Sequence, residues 1–473
     1  MLLKDLLSGI AYEGDGNIEI KDIVSDSRKV TKGSAFVCIK GYETDGHLYA
    51  EKAVQNGASV VVAEEKIDVD CPLVIVENTR NLMARMCAEF YKNPSKMFTL
   101  VGITGTNGKT TTTYLIKNIL EKAGKKVGLI GTNQNMIGDK IIETSRTTPD
   151  SFELQALFSN MAKENVDTVV MEVSSHALYL DRVAYCDFDI GVFTNLTQDH
   201  LDFHKTMEAY ADAKAILFKM CKKGVVNIDD SYAERILAGA SADIMTVSTK
   251  KASDLFAKNI DLKETGVDFT IDNMNFSLSI PGEFSVYNAL SAIGACKAMG
   301  IADDIIIEGL KSAHGVKGRA QVVNLDHPAT FIIDYAHTPD GVENILKTVK
   351  GFAKEKVIVL FGCGGDRDNK KRPIMGEIAE KYADFCIVTS DNPRTENPTE
   401  IINQILAGMK KDSHVVIENR RDAIKYAVET AQKGDVVVLA GKGHETYQTI
   451  GKENFPFDEE QILFEVKKEL EVQ

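Results

Sequence analysis

The sequence predicts an α/β protein of three domains whose sheets are mostly parallel. Its 473 residues are enough for roughly three domains of ordinary size. Apolar runs alternate with helical patterns along most of the chain, which is typical of strands joined by helical crossovers. Several runs, among them VDTVVMEV and FDIGVFTN, are rich in β-branched residues and do not alternate with polar ones. Strands of that kind are buried on both faces of a parallel sheet.

The composition is that of an ordinary globular enzyme, with 44% apolar and 26% charged residues. No apolar run approaches the roughly 20 residues of a membrane span. The N-terminal segment MLLKDLLSGIAYEGDG has Asp5, Ser8 and Gly9 within its only apolar stretch, which is unlike a secretory signal. We therefore expect a cytoplasmic protein that does not insert into membranes.

The net charge and the cysteine pattern argue against nucleic-acid-binding, zinc-ribbon and disulfide-rich proteins. The net charge of −14 argues against a general nucleic-acid-binding surface, because neutralising phosphates requires basic residues. The eight cysteines form no CxxC pair, so neither a zinc ribbon nor a disulfide framework is expected. They are most simply buried thiols in a reducing compartment.

The first predicted domain, residues 1–96, is a small α/β unit. IVSDSR, SAFVCI, ASVVVAE and PLVIVEN have the composition of strands, and HLYAEKAVQNG that of a helix ending at Gly57. A second helix, NLMARMCAEFYK, stops before NPS. Because Pro94 disfavours a helical Asn93, the first boundary is placed at residues 93–96.

The second predicted domain, residues 97–317, has longer βα alternation. It begins with the strand FTLVGIT, a glycine-rich turn and the helix TTTYLIKNILEKAG, where Gly124 suits the helix end. GVVNI adds another buried strand. The boundary to the third domain falls near residues 313–321, where glycines interrupt the periodicity.

The third predicted domain, residues 318–473, repeats one pattern four times. The apolar runs ATFII, KVIVLF, FCIV and DVVVLA are each followed by a polar loop, namely DYAHTPD, GCGGDRD, SDNPR and GKGHE. In a doubly wound parallel sheet such loops emerge at one edge, where ligands bind. We therefore expect these four loops to face one cleft.

The segment GITGTNGKTT indicates a phosphate site in the second domain. A strand, a glycine-rich turn and then Lys and Thr at the start of a helix is the arrangement that surrounds a triphosphate with backbone N–H groups. Lys109 is expected at the β- and γ-phosphates, and the Thr110 hydroxyl on Mg²⁺.

Two further segments, MEVSSH and TQDHLDFH, carry polar groups beside buried strands. Glu172 ends a strand, where an unpaired carboxylate is costly, so we expect it to bind a cation. His200 and His204 are four residues apart and could share a helical face as in a zinc site, but no HExxH and no cysteine partner accompany them. Solvated histidines at a helix start are the alternative.

Lys214, in YADAKAILF, lies among apolar residues and is expected to be partly buried. An exposed helical lysine is the alternative. A buried lysine tends to be neutral, and a neutral amine can combine with CO₂ to form a carbamate.

Asp391 to Arg394, the loop DNPR, concentrates an acid, an amide, a proline and a guanidinium in four residues. Such a loop could bind a polar ligand, or it could be a plain Asn-Pro turn before the next helix.

Taken together, these motifs resemble the Mur ligases, the ATP-dependent amino-acid-adding enzymes of peptidoglycan synthesis. The resemblance rests on segments that occur in the family's order along essentially the whole chain: GTNGKTT, EVSSH, DHLDFH, YADAK, GEFSVYNALSA, GVKGRA, DYAHTPD, GCGGDRD, DNPR and GKGHE. Ala320, after GR, departs from the methionine of many relatives.

The resemblance implies a ligase, most similar to the members that add meso-diaminopimelate to the D-Glu of UDP-N-acetylmuramoyl-L-Ala-D-Glu. It implies an N-terminal domain for the UDP end, a central P-loop ATPase domain, and a C-terminal Rossmann-like domain for the amino acid. The D-Glu carboxylate is activated by ATP as an acyl phosphate, which the incoming amine attacks. A cytoplasmic monomer is expected, with Mg²⁺ as cofactor.

The resemblance also implies roles for individual residues. The catalytic residues would be Lys109, Glu172, His200 and Lys214. The ATP-binding residues would be Gly105, Thr106, Asn107, Gly108, Lys109, Thr110, Thr111, Asn288, Arg319 and Asp334. The Mg²⁺ ligands would be Thr110, Glu172, His200 and a carbamylated Lys214. The UDP-substrate residues would be Ser27, Thr44, Thr147, Thr148, Ser174 and Arg182. The diaminopimelate residues would be Arg367, Asp391, Asn392, Pro393, Arg394, Gly441 and Glu445.

Within the last set, Arg394 is expected to bind the distal carboxylate, while Asp391 and Asn392 accept from the distal ammonium. Without the family, Arg182 and Arg319 could be surface charges, Asp334 could cap the helix after Pro339, and Asn288 could be a buried polar residue. The lysine-adding ligase of the family, a folylpolyglutamate synthase and, from another class, a P-loop ATPase switch are the alternative functions.

Overall fold

The computed structural model describes residues 1–41, 44–142, 144, 146–263, 265–313 and 315–471. The chain divides into two compact units. The first comprises Met1–Lys109 and Ala123–Met245, and the second comprises Thr110–Lys122 and Thr246–Gln473. Mixed α/β structure with mostly parallel sheets, as predicted, is found in both.

The first unit begins with a four-stranded parallel sheet. Its strands, in sheet order, are Asp22–Val24, Ser34–Val37, Ala58–Ala63 and Leu73–Ile75. The α-helices beside them are Leu3–Leu6, Ala50–Gln55 and Thr79–Phe90, and the 3₁₀ helices are Ser27–Lys29, Gly46–Tyr49 and Pro94–Lys96.

The local chemistry explains the ends of these elements. The first strand is shorter than IVSDSR predicts, because the Asp26 carboxylate accepts from the backbone N–H of Arg28 and starts a 3₁₀ turn. The Asn78 side chain caps the third α-helix by accepting from the Asn81 N–H. Asn93, before Pro94, has a φ of 53°, so the predicted end of that helix is confirmed.

A second sheet in the first unit contains seven strands of that unit. In sheet order these are Lys223–Asn227, Ile190–Phe193, Thr99–Thr104, Thr168–Glu172, Val127–Ile130, Asn135–Ile137 and Lys140–Ile142. The first five are parallel and the last two are antiparallel. The helices that follow in the chain are Ser151–Lys163, Ser175–Tyr179, Leu201–His204, Met207–Met220 and Ala233–Leu237.

The third strand of these seven, Thr99–Thr104, is almost wholly buried, as its mostly apolar sequence predicts. The core on one side of the sheet joins Leu100, Phe158 and Phe188, which are fully buried. This packing fixes the carboxyl end of the strand, from which the glycine-rich turn leaves.

The second unit includes most of the helix Lys109–Lys122 and the chain from Thr246 onward. The strand Asp243–Ser248 crosses the limit of the unit and pairs with Leu255–Phe256. A three-stranded antiparallel sheet follows, made of Lys258–Lys263, Gly266–Ile271 and Met274–Leu278. The next helices are Glu283–Ala298 and Asp303–Lys311.

A six-stranded sheet forms the core of the remaining chain. Its strands, in sheet order, are Gln321–Val323, Thr330–Asp334, Val436–Ala440, Val357–Phe361, Phe385–Val388 and His414–Val416. Only the first pairing is antiparallel. The helices are Pro339–Lys350, Lys371–Tyr382, Pro398–Leu406, Arg420–Thr430 and Glu459–Glu471, and Tyr447–Ile450 pairs with Glu453–Pro456 as a hairpin.

The four apolar runs predicted as strands are adjacent and parallel in this sheet, so the prediction is confirmed. Their following loops therefore emerge at one edge. None of the helices in the described ranges combines the length and the apolar character that a bilayer crossing requires.

Candidate functional site

The glycine-rich loop follows the strand Thr99–Thr104 of the first unit. Gly105 has a φ of 154°, and a Cβ atom there would lie 1.9 Å from the Thr194 hydroxyl oxygen, so only glycine fits. The backbone N–H of Thr106 donates to the Asn195 carbonyl, and that of Asn107 to the Asn195 side chain. The neighbouring strand end therefore holds the loop in a defined shape.

Lys109 closes the loop, as the sequence predicts. Its Nζ donates to the carbonyl oxygens of Gly105 at 2.9 Å and Thr106 at 2.8 Å. Gly108 before it also has a positive φ, of 84°. A cation and a helix start next to a glycine-rich backbone of this kind suit a polyphosphate. Thr110 and Thr111, the next residues, are buried in the second unit.

Lys214 reaches the same loop from the helix Met207–Met220. It is 1% exposed, and its Nζ donates to the Gly105 carbonyl oxygen at 2.9 Å. The amine also lies 4.4 Å from the centre of the Tyr210 ring. Burial lowers the pKa of the Lys214 amine well below its usual range, and the Lys109 charge acts in the same direction. Lys214 is thus buried, more fully than the sequence predicts.

His200 and His204 do not form the shared metal face that their spacing allows. The helix Leu201–His204 is one turn long, and His200 precedes it with a φ of 53°. His204 is buried against the Ser175 hydroxyl at 2.9 Å, whereas His200 is exposed and lies 3.3 Å from the Asp199 carboxylate. The exposed His200 ring centre is 6.1 Å from that of Tyr210, the ring over which Lys214 lies.

Glu172 ends its strand as predicted and is 1% exposed. Its Oε1 accepts from the backbone N–H of Thr132 and its Oε2 from the Thr132 hydroxyl, both at 2.9 Å. These bonds orient the carboxylate at the carboxyl edge of the sheet. The Thr132 hydroxyl is in turn 3.0 Å from that of Thr147.

Thr148, Ser174 and Arg182 come together beside Glu172. The Thr148 hydroxyl donates to the Glu172 carbonyl at 2.9 Å and accepts from the Ser174 N–H at 3.1 Å. Arg182 Nη1 donates to the Thr148 carbonyl at 3.3 Å. Burial lowers the pKa of the Arg182 guanidinium, as does the nearby Arg146 charge. Arg182 is therefore a partly buried cation at this cluster and not a surface charge.

The other residues expected at the nucleotide end lie apart. Ser27 belongs to a one-turn 3₁₀ helix, and its carbonyl accepts from the Asn56 side chain. Thr44 is exposed. Within the described ranges, no hydrogen bond joins Ser27 or Thr44 to the Thr148 cluster. Tyr42 and Glu43, which precede Thr44 in the sequence YET, lie outside the described residues.

The donor chemistry of the first unit suits a hard cation. No group of three or more His, Cys, Asp or Glu side chains among the described residues has the arrangement of a metal site. Mg²⁺ does not need such a group, because it binds one or two carboxylates and keeps waters and phosphate oxygens. Glu172 offers oxygen donors of this kind. The Lys214 amine does not, and it would need to carry a carbamate to supply oxygen.

Arg319 and Asp334 are neighbours in the second unit. The Asp334 carboxylate accepts from the backbone N–H groups of Ala320 at 2.7 Å and Ala336 at 2.9 Å. Burial raises the pKa of the Asp334 carboxyl, although the Arg319 charge acts in the opposite direction. The helix after Pro339 is capped by Thr338, so Asp334 is not its cap. Asn288 is buried within its helix.

The Arg319 guanidinium lies 4.9 Å from the centre of the Tyr335 ring. Its loop also touches the loop after the strand Val436–Ala440. A Cβ atom at Gly318 would lie 2.1 Å from the Gly443 carbonyl carbon, so the two loops meet backbone to backbone. Gly318 and Gly443 have φ values of 71° and 54°. Both positions have a positive φ, which favours glycine, and the lack of a side chain at each allows the two backbones to touch.

The DNPR loop is not a plain turn. Arg394 has a φ of 50°, and its Nη1 donates to the Gly365 carbonyl at 2.8 Å. The Gly365 N–H donates to the Asn392 carbonyl, so two of the four polar loops are joined. Arg367 is exposed beside them, and its Nη1 donates to the Asp366 carbonyl.

Asp391 and Gly441 connect a third loop. Gly441 has a φ of 121°, and a Cβ atom there would be 2.6 Å from Asp391 Oδ2. Asp391 Oδ1 accepts from the Asn392 N–H, and Pro393 is buried between Asn392 and Arg394. The predicted cluster of Asp391, Gly441 and Glu445 is therefore brought together at the sheet edge.

Asn392 corrects one expectation from the sequence. Its Oδ1 accepts from Lys442 Nζ at 3.0 Å and from the Thr449 N–H at 2.9 Å, and its Nδ2 donates to Glu445 Oε2 at 2.9 Å. Both lone pairs of the amide oxygen are used. Asn392 is thus not placed to accept from a ligand ammonium; it offers N–H.

Sequence reasoning missed the buried cations behind this loop cluster. Lys442 is 0% exposed. Arg420, also buried, donates to Glu459 Oε1 at 2.8 Å and to the Ala440 carbonyl at 2.9 Å. Burial raises the pKa of the Glu459 carboxyl, with Arg420 acting in the opposite direction. The signal available was the basic residue flanked by glycines in GKGHE.

Arg372 is another residue that the sequence did not single out. Its guanidinium is buried and makes two parallel bonds to Glu396, at 2.8 and 2.9 Å. It also donates to the Gly364 carbonyl at 3.2 Å. Through its bonds to Gly364 and Glu396, Arg372 joins the GCGGDRD loop to the segment after DNPR.

Known protein families match the chain in each region where the candidate residues lie. Three family models do so: "Mur ligase family, catalytic domain" over residues 19–91, "Mur ligase middle domain" over residues 103–296, and "Mur ligase, glutamate ligase domain" over residues 318–443. The three matches follow one another along the chain and cover most of it.

Curated relatives are similar over their whole length. UDP-N-acetylmuramoyl-L-alanyl-D-glutamate–2,6-diaminopimelate ligase 1 of Clostridium acetobutylicum is 50% identical, covering 99% of this chain and 100% of the relative. The enzyme named for the same reaction in Caldanaerobacter subterraneus subsp. tengcongensis is 51% identical, with 100% of both chains covered.

A solved structure that is similar to this chain has the same enzyme name as these relatives. A UDP-N-acetylmuramoyl-L-alanyl-D-glutamate–2,6-diaminopimelate ligase superposes with a TM-score of 0.74 at 32% identity, covering 100% of this chain and 99% of its own. Identity and coverage of this extent leave one conclusion about ancestry: the chain belongs to the Mur ligase family.

Proposed function

We propose that the chain is an ATP-dependent ligase that joins meso-2,6-diaminopimelate to the D-Glu of UDP-N-acetylmuramoyl-L-Ala-D-Glu, releasing ADP and phosphate. The observation that carries the proposal is the 50–51% identity, over whole chains, to relatives named for a 2,6-diaminopimelate ligase. The product is a precursor of peptidoglycan, and the enzyme acts in the cytoplasm as a monomer, with neither nucleic acid nor membrane as a partner.

The domain assignment is part of the proposal. Residues 1–96 bind the UDP end of the substrate, residues 97–317 bind ATP, and residues 318–473 bind the amino acid. The sheet edges that carry the candidate residues support this division, because each is the carboxyl edge of parallel strands, where ligands bind in open α/β sheets.

The first chemical step is phosphoryl transfer. A D-Glu carboxylate oxygen attacks the γ-phosphorus of ATP, and ADP leaves with the electron pair of the broken P–O bond. Lys109, which now donates to Gly105 and Thr106, would offset the charge of the transferring phosphoryl group. The remaining ATP contacts are assigned to Gly105, Thr106, Asn107, Gly108, Thr110, Thr111, Asn288, Arg319 and Asp334.

The second step forms the amide bond. The neutral amine of diaminopimelate attacks the acyl carbon and forms a C–N bond. Phosphate leaves from the tetrahedral intermediate with the electron pair of the broken C–O bond, and the nitrogen loses a proton to solvent. The buried carboxylate of Asp391 and the carboxylate of Glu445 suit the ammonium of a bound amino acid. The diaminopimelate contacts are assigned to Arg367, Asp391, Asn392, Pro393, Arg394, Gly441 and Glu445.

Lys214 is proposed to be carbamylated. Its amine, kept neutral by burial, attacks CO₂; an N–C bond forms and a proton is released. The lowered pKa of the amine and the nearby Lys109 cation support this step, since the product is an anion beside a cation. The carbamate oxygen, Glu172 and His200 would then hold one Mg²⁺, and the Thr110 hydroxyl is proposed as a Mg²⁺ ligand as well. Mg²⁺ would neutralise phosphate charge when bound.

The UDP-substrate contacts are assigned to Ser27, Thr44, Thr147, Thr148, Ser174 and Arg182. The cluster of Thr148, Ser174 and Arg182 supports this assignment, because it presents hydroxyls and a cation next to Glu172. Such groups suit the carboxylates and hydroxyls of a muramoyl peptide.

The test is a ligation assay that supplies each candidate amino acid in turn. With ATP, Mg²⁺ and the UDP-muramoyl dipeptide, we expect ligation of meso-diaminopimelate at least about 100-fold more efficiently than of lysine, which lacks the distal carboxylate. Equal efficiencies would contradict the proposed selectivity and favour the lysine-adding ligase.

Two control reactions test for a folylpolyglutamate synthase and for a P-loop ATPase switch. Ligation of glutamate to a folate acceptor would favour the synthase. ATP hydrolysis that does not depend on either acceptor would favour the switch. We expect no folate ligation, because the relatives that match over whole chains are named for the 2,6-diaminopimelate ligase. We also expect no acceptor-independent hydrolysis, because a switch does not need the hydrogen-bonded cluster of polar loops in the second unit.

A further inference from the structure

The amide of Asn392 has a fixed orientation. Two donors, Lys442 Nζ and the Thr449 N–H, meet its oxygen, and one acceptor, Glu445 Oε2, meets its nitrogen. Turning the amide over would place N–H groups against two donors, so the other orientation is excluded. Among the described residues, no acceptor takes the second N–H of this amide. Asn392 therefore acts toward a ligand as a hydrogen-bond donor.

Lys442 is the charged member of this network. Its side chain is 0% exposed, and its Nζ lies 3.0 Å from Asn392 Oδ1 and 3.3 Å from Glu445 Oε2. Its Nζ lies 5.9 Å from the centre of the Tyr447 ring and 5.7 Å from that of the Phe457 ring. A buried ammonium needs partners of this kind, and a hydrogen bond from it is stronger than one from a neutral donor.

The same contacts give the two carboxylate oxygens of Glu445 different surroundings. Its Oε2 takes both Asn392 Nδ2 and Lys442 Nζ, whereas no donor in the described part of the chain reaches its Oε1. The Glu445 side chain is 15% exposed, so Oε1 is the oxygen left for a ligand. The contacts thus separate a donor, Asn392 Nδ2, from an acceptor, Glu445 Oε1.

We infer that Lys442 is a positioning residue that sets the polarity of the amino-acid pocket: it holds Asn392 as a donor and Glu445 as an acceptor. This inference rests on the proposed function and deepens it. A ligand head that carries both a carboxylate and an ammonium matches a pocket with one donor side and one acceptor side. A plain ammonium, as at the end of lysine, would leave the donor side unmatched.

The principal experiment replaces Lys442 with methionine in the full chain. Methionine keeps an unbranched apolar side chain in this fully buried position and removes the ammonium, so most of the buried volume stays filled. We expect the KM for meso-diaminopimelate to rise at least about tenfold, because a charge-assisted contact that orders two ligand-binding groups is lost. The KM values for ATP and the UDP-muramoyl dipeptide should change less than about twofold on the same grounds.

Lys350→Met is the matched control. Lys350 pairs with Asp384 at the opposite edge of the same sheet, before the strand Phe385–Val388 begins. This variant should keep all three KM values. A Lys442→Met enzyme whose KM for diaminopimelate also stays within twofold would overturn the inference.

A double-mutant cycle tests whether Lys442 acts through Asn392. Asn392→Ala should raise the KM for diaminopimelate, and adding Lys442→Met should then raise it by clearly less than in the wild-type background. Fully additive effects would overturn the positioning role, because a merely structural lysine would act independently of Asn392.

Folding is monitored by circular dichroism and thermal melting. Should Lys442→Met not fold, Lys442→Gln carries the same test, since it keeps an N–H donor on a stem that is one atom shorter. It is expected to give a smaller rise in KM, and an unchanged KM would overturn the inference. Failure of the unmodified chain to ligate diaminopimelate would instead contradict the proposed function.

Discussion

Two lysines of this chain are equally buried and differently surrounded. Lys214 is 1% exposed and Lys442 is 0% exposed. Lys214 donates to one backbone carbonyl, that of Gly105, and a second lysine lies close enough to lower its pKa. Lys442 has a carboxylate and an amide oxygen as acceptors. Burial alone therefore does not decide what a lysine does; the charge of its neighbours does.

These surroundings give the two residues opposite chemistry. Burial and a nearby cation lower the pKa of the Lys214 amine, which makes it a better nucleophile, and a carbamate formed on it would be stabilised by the same cation. An ammonium held beside a carboxylate is a fixed structural charge that orders its partners. Four substitutions test this difference, in decreasing order of the change that we expect.

Lys214→Ala should change the enzyme most. We expect the kcat of ligation to fall at least about 100-fold, because a charged group at the phosphoryl-transfer site is lost. Acetate or propionate in the assay should restore part of the activity by supplying a carboxylate in the space left. Lys219→Ala, on the exposed face of the same helix, is the control. Full activity of Lys214→Ala without added carboxylate would contradict carbamylation.

Glu445→Gln gives Lys442 an environment closer to that of Lys214, because it removes the negative charge from the pair. We expect the free energy of unfolding to fall by about 3 kcal/mol, since a buried ammonium loses its counter-charge. Urea denaturation at neutral pH measures the change. Glu453→Gln, at an exposed position of the adjacent hairpin, should change it little. Equal stabilities of the two variants would argue that the Lys442 charge is compensated elsewhere.

His444, two residues after Lys442, resembles Lys214 in having positively charged side chains nearby. Burial lowers its pKa from 6.5 to about 4, helped by the Arg319 and Lys317 charges. The unfolded chain then binds more protons between these values, so the folded state loses stability as the pH falls through 6.5 toward 4.

The free energy of unfolding of the wild type should fall between pH 7 and pH 5. In His444→Leu this fall should be smaller by about 2 kcal/mol, because the shifted histidine is absent. Denaturant titrations at both pH values, with His414→Leu as a comparison, measure it. An unchanged pH dependence in His444→Leu would show that other groups account for the acid sensitivity.

The smallest expected effect is the contribution of Lys214 to the pH dependence of the free energy of unfolding. Its folded pKa lies below the usual 10.5, so its contribution to stability grows as the pH rises toward 10.5. In CO₂-free buffer, the free energy of unfolding of Lys214→Met relative to the wild type should therefore fall as the pH rises toward 10.5. Lys125→Met, at an exposed site, gives the baseline. A flat difference would indicate that Lys214 does not titrate in that range.

Features encoded within a short stretch of sequence are predictable. The four apolar runs of the third domain are adjacent parallel strands, and the loop before Lys109 has the two positive-φ glycines that GTNGK suggests. The burial of Lys214 also follows from its apolar neighbours in the helix. The strand character of each run, the conformations of the two glycines and the burial of Lys214 are each indicated by residues within a few positions of one another.

Features that depend on distant residues escape such reasoning. The amide orientation of Asn392 is set by Lys442 and Thr449, 50 and 57 residues further along the chain. The Arg420–Glu459 pair is separated by 39 residues. The spacing of His200 and His204 suggests a shared helical face, but that helix has a single turn. Only the sheet brings such residues into contact, and periodicity does not report it.

The contact between Gly318 and Gly443 has a mechanical consequence. No side chain separates these two loops, and a Cβ atom at Gly318 would overlap the Gly443 backbone. The Gly318 loop continues to Arg319, and the Gly443 loop continues to Glu445. Because no flexible side chain lies between the two backbones, one loop is not expected to shift toward the other without displacing it. We therefore expect a displacement of one loop to move the other, and with it the groups proposed to bind the nucleotide and the incoming amino acid.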